Sequence, residues 1–135
     1  MNLQFATRRT RPTWQSMVTG FAGLAYLFTG LAQLFAPRWF FDTIGTFPPF
    51  NRHYIGDFGV FIVALGIGLL AAAAEPGRHR LLVGCAALAS VLHVLNHLYD
   101  DWLSSSWSAG HFLSETLPLL ILALMLAGVW ARPEP

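Results

Sequence analysis

His53 and Asp57, His93 and His97, and His111 and Glu115 each stand four residues apart. At that spacing two side chains share one face of a helix and can reach a common point. Imidazole nitrogens suit zinc, copper, iron and nickel, carboxylates help to hold harder ions, and four-helix bundles build metal sites from such facing pairs. Asp57, His93, His97 and Glu115 are therefore expected to ligate one transition metal ion, zinc, copper or iron, with His111 or His53 completing the set. Histidines from two helices, such as His93 or His97 opposite His111, would equally suit haem b. The same residues could instead form a proton relay or a hydrogen-bonded core without any cofactor.

Every candidate helix brings its polar residues to the same end of the chain's hairpins. His53 and Asp57 open the second apolar segment, and His93, Asn96, His97, Asp100 and Asp101 close the third. His111 and Glu115 open the fourth, while Gln33 reaches that level from the first, with Thr29 and Tyr26 one and two turns behind it. His93, Asn96, His97 and Asp100 follow i, i+3, i+4, i+7 and define one stripe. Below them lie small residues, Ala64 and Gly68 under Asp57 and Ser90 and Ala86 under His93, which predict faces turned to the bundle interior. His53, Asp100, Asp101 and His111 lie nearest to water, where the alternative to a role in the site is a solvated helix end, and His79 is expected as a surface residue.

The elements that must position these groups are set by the solvent. Residues of the apolar set make up 55% of the 135-residue chain and charged residues 11%, far below the roughly 25% charge of a water-soluble domain. Four apolar stretches, 15–35, 54–74, 81–99 and 112–131, have the roughly 20 residues that a hydrocarbon core of about 30 Å requires. Only helices can cross as separate segments, because a lone strand leaves its backbone unpaired in lipid. The expected fold is all-α, one domain, a four-transmembrane-helix bundle. The first stretch follows Arg8, Arg9 and Arg11 but is too long for a signal peptide, and Leu34-Phe35-Ala36-Pro37 offers no small-residue cleavage site, so it reads as an uncleaved span.

Acidic groups in a span cost about 2.5 to 3.5 kcal/mol at mid-bilayer and less near the surface, and they mark functional sites by default. Arginines give the orientation. Arg8, Arg9, Arg11, Arg78, Arg80 and Arg132 fall on one side and Arg38 and Arg52 on the other, which predicts N and C termini in the cytoplasm. Lysine is absent and alanine abundant, which suggests a GC-rich bacterial genome, and with the spans the expected location is a bacterial inner membrane. Between the first two spans, Trp39, Phe40, Phe41, Phe47 and Phe50 sit with Pro48-Pro49 in an outer interfacial segment, 37–52. Those rings predict either a lid over the bundle mouth or a simple membrane anchor. The one cysteine, Cys85, is expected as a buried thiol without a partner. The basic residues form no sustained patch, which excludes nucleic acid. Membrane lipid, a larger membrane complex or a second copy of the chain are the partners that remain, and an accessory subunit docking through its polar mouth is a further reading.

The run Asn51-Arg52-His53-Tyr54-Ile55-Gly56-Asp57-Phe58-Gly59, followed by a small-residue helix and then His93-Val94-Leu95-Asn96-His97, resembles small four-helix bacterial membrane proteins that are DoxX-like in layout. Members of the broader family are linked to quinone or thiol redox chemistry, and the resemblance implies Asp57, His93 and His97 as the functional positions without fixing a reaction; the metal reading adds redox chemistry on a lipid-soluble substrate. Thiol exchange needs a pair of cysteines, and this chain has one.

Overall fold

The computed structural model describes residues 13–46, 48–104 and 108–132. Helix α1 (Trp14–Phe35) starts where Thr13 Oγ1 accepts the Ser16 N–H at 3.2 Å, satisfying one of the donors a helix start leaves open. Pro37 cannot continue it and instead opens a short helix, α2 (Pro37–Thr43). Helix α3 (Arg52–Ala72) is capped by Asn51, whose Oδ1 accepts the N–H groups of His53 and Tyr54 at 3.0 and 3.3 Å. Helix α4 (Arg80–Ser104) follows a tight turn. The last span runs through α5 (Ala109–His111), a π-helical turn at Phe112–Thr116, and α6 (Leu117–Ala131). The π turn stands just before Pro118, which has no N–H to offer the preceding turn.

Four helices, Trp14–Phe35, Arg52–Ala72, Arg80–Ser104 and Ala109–Ala131, are long and apolar enough to cross a membrane, and no strand occurs among the described residues. The chain is an all-α, multi-pass membrane protein. Its burial pattern agrees with a lipid solvent. The core consists of Ala22, Leu69, Val83, Ala86, Ala87, Leu126 and Val129, drawn from all four spans, while Phe21, Leu24, Phe28, Phe61, Leu88 and Leu124 point outward. An alanine-containing core with large apolar side chains turned outward is what helix contact in a membrane favours. Cys85 belongs to the outer set, so the expectation of a buried thiol is corrected: it lies on the exposed face of α4.

The helices associate as two close pairs, α1 with α3 and α4 with α6, and α3 touches α4 only lightly. Glycines explain the first pair. Gly23 and Gly30 on α1 face Gly66 and Gly59 on α3, the two glycines standing one heptad apart on each helix. A Cβ added at Gly66 would stand 2.6 Å from the Leu27 nitrogen and one at Gly30 2.7 Å from the Val63 nitrogen, so backbone lies against backbone. The two pairs are linked by Tyr26 of α1, whose hydroxyl lies 2.5 Å from Ser90 Oγ on α4. Because Ser90 already donates to the Ala86 carbonyl at 2.7 Å, Tyr26 is the donor in that contact. At the opposite end, Arg80 Nε donates to the Trp130 carbonyl at 3.1 Å and its guanidinium lies over the Trp130 ring, tying α4 to α6.

The segment after α1 holds its aromatic rings through local contacts. Trp39 packs edge-on against Phe28, a ring that itself faces outward, with centroids 6.5 Å apart. Arg38 pairs with Asp42 at 2.8 Å and lies over Phe41 and Phe50. Trp39 thus lies beside the outer face of α1, and Phe41 and Phe50 pack edge-on against each other with centroids 5.4 Å apart; Phe47 lies outside the described residues.

Candidate functional site

The six residues expected to ligate one ion do not converge. His53 and Asp57 meet each other at 3.3 Å, but both side chains are more than half exposed. The cause is the glycine seam. With Gly59 buried against α1, Asp57 lies two residues away and therefore about 200° round the helix. Ala64, one heptad further along that face, is exposed as well. The inward reading of the Asp57, Ala64 and Gly68 face is corrected accordingly; Gly68 is only half-buried, facing Leu82.

The groups that do come together lie between α4 and the last span. His111 Nε2 is 3.2 Å from Asp101 Oδ1, and His111 Nδ1 is 3.3 Å from Glu115 Oε1. Asp101 is 2% exposed, His111 25% and Glu115 18%. Asp101 is thus no solvated helix end but the most buried carboxylate of the cluster, because α4 continues past Tyr99 to Ser104 and keeps it on the packed face. That face reads Ala87, Val94, Asp101 at intervals of seven, a signal present in the sequence that the i, i+4 pairs obscured. The contact to His111 is an ion pair only when the ring is protonated, and neither Asp101 oxygen has an aligned hydrogen bond among the described residues. Ser108 caps α5 and holds the other side of the cluster in place by accepting the His111 N–H at 3.1 Å.

His93 and His97 do meet as expected, with Nε2 atoms 3.2 Å apart and ring centroids 4.9 Å apart, and Phe58 of α3 packs edge-on against His93 at 6.3 Å. The stripe they were assigned to divides, since Asn96 donates to Asp100 at 2.9 Å on the exposed side. On α4, Ser90, His93, His97 and Asp101 follow at steps of three and four residues, so a line of polar groups descends from the bundle's end to the Tyr26–Ser90 contact. Beyond it, Val83, Ala86 and Ala87 pack with Leu69 and Leu126.

Among the described residues, no three His, Cys, Asp or Glu side chains are grouped to hold a metal ion. At His111 the two carboxylates stand at different ring nitrogens, Asp101 at Nε2 and Glu115 at Nδ1, so one ion does not lie between all three. An imidazole held from both sides is arranged to take a proton at one nitrogen and release one from the other. In comparisons with known proteins, no family model, no curated protein and no solved structure matches this chain.

Proposed function

We propose that this membrane protein relays protons between one membrane face and the middle of its bundle. The observation that carries the reading is the placement of Asp101 and Glu115 on opposite nitrogens of His111. Glu115, the more exposed carboxyl, passes a proton to Nδ1; the proton on Nε2 leaves for Asp101, and the ring returns to neutrality. His97, His93 and the Tyr26–Ser90 contact continue the line inward. The apolar core beyond Ser90 supports a relay that ends inside the bundle and does not cross it. The arginine asymmetry supports cytoplasmic termini, which would put the His111 end on the outer side of a bacterial inner membrane.

Infrared spectroscopy of the carboxyl groups, combined with nuclear magnetic resonance of labelled histidine, tests this in detergent-purified protein. Which ring nitrogen of a neutral imidazole carries the proton is set by what the other nitrogen meets. The His111 nitrogen resonances are expected to show the ring proton exchanging between Nδ1 and Nε2, and Asp101→Asn together with Glu115→Gln should suppress that exchange. Identical His111 resonances in parent and double variant would sink the relay.

A second reading rests on the 3.2 Å separation of the His93 and His97 Nε2 atoms. Two nitrogens each about 2.0 to 2.1 Å from a zinc ion stand about that far apart. The pair would supply two ligands of a transition metal, with the rest from a substrate, a partner or a second copy, and would give the DoxX-like layout a redox centre. Elemental analysis of the purified protein should then find metal in the parent and none in His93→Ala or His97→Ala. Equal metal content in all three, or none in the parent, discards it.

A further inference from the structure

A polar pocket of about 200 Å³ opens between the end of α1 and the start of α3, lined by Gln33, Leu34, Arg52, His53, Asp57 and Val60 among others. It lies where two spans end, at the level of lipid headgroups. Its walls carry both signs of charge. Arg52 has no ion-pair partner among the described residues, and its planar fork of donors suits a phosphate. Asp57 supplies a carboxylate, and Gln33, 4% exposed, has a side-chain carbonyl oxygen without a hydrogen-bond partner among the described residues. Gln33 owes its depth to Gly59, where an added Cβ would stand 2.9 Å from the Gln33 Cβ. On the lipid side, Val60 is exposed and Leu34 half-buried, so the pocket is continuous with the apolar face of α3.

A purely anionic ligand would be repelled by Asp57 and a purely cationic one by Arg52. We propose that this pocket binds a phospholipid headgroup that carries a phosphate and a primary ammonium, as in phosphatidylethanolamine. The phosphate lies on Arg52, the ammonium donates to Asp57 and Gln33, and the acyl chains leave along Leu34 and Val60. A primary ammonium has three N–H donors, whereas a quaternary one has none, so the site distinguishes the two zwitterionic headgroups by hydrogen bonding.

The full chain, purified and placed in nanodiscs of equal parts phosphatidylethanolamine, phosphatidylcholine and phosphatidylglycerol with identical acyl chains, is released into a mass spectrometer and its retained lipid identified. Phosphatidylethanolamine is expected to be retained over both others, and Arg52→Gln and Asp57→Asn should each lower that preference by about tenfold, the scale of one charge-assisted contact. Both side chains are exposed, so the helical circular dichroism of the variants should match the parent. Equal retention of the three lipids, or a preference for phosphatidylglycerol, overturns the proposal. Displacement of the retained lipid by millimolar soluble phosphoethanolamine would assign the pocket to a free metabolite and overturn the lipid; persistence of the lipid in its presence supports it.

Discussion

Replacing Gly66 with leucine is expected to part α1 from α3 and to cost about 3 kcal/mol, the upper end of what overpacking a close contact costs. The reason is what a side chain would meet. Its Cβ alone would lie 2.6 Å from the Leu27 nitrogen, 2.9 Å from its Cα and 3.0 Å from the Gly23 carbonyl oxygen. These are backbone atoms of a helix and cannot swing aside as a side-chain tip can. Gly56, ten residues earlier on the same helix, provides the control, because a Cβ there meets nothing within 4 Å. Gly56→Ala should be neutral or stabilise α3 by about 0.5 to 1 kcal/mol through the backbone entropy that glycine otherwise gives up. Unfolding in a detergent titration, followed by circular dichroism, reads both. If Gly66→Leu unfolds with the parent, the two helices are not held by the glycine seam and the outward placement of Asp57 loses its cause.

That placement marks the boundary between what the chain discloses and what it does not. The spans were legible because lipid imposes a length and forbids charge, a constraint acting on each segment alone. The rotation of each span about its own axis is set by its neighbours. Ala64 and Gly68 are small, and so are Gly59 and Gly66, and nothing local to α3 says which set meets another backbone. Only the matching interval in α1, Gly23 to Gly30, could have pointed to the second set. The gathering of polar residues at one end was legible for the same reason as the spans, but the identity of the cluster was not. His111 and Glu115 were recognisable as a pair four residues apart; their partner Asp101 comes from another helix, and its burial depends on α4 outlasting its apolar run by a turn.

Removing the imidazole should do more harm than removing both partners. In His111→Leu, Asp101 is left 2% exposed with the one ion-pair contact described for it gone. Breaking a buried ion pair from one side costs about 3 to 5 kcal/mol when the remaining group stays charged. Glu115, at 18%, is closer to solvent and should contribute less to that penalty. Substituting leucine at Asp101 as well removes the stranded carboxylate, and replacement of a buried pair by apolar residues of similar volume is often close to neutral. The double variant Asp101→Leu/His111→Leu is therefore expected to be more stable than His111→Leu alone, with a coupling energy of about 1 to 3 kcal/mol, as for contacting residues in one polar network. Detergent unfolding of the parent, the two single variants and the double variant closes the cycle. Additive effects would mean that Asp101 and His111 do not sense each other, and an imidazole that does not sense the buried carboxylate cannot deliver a proton to it.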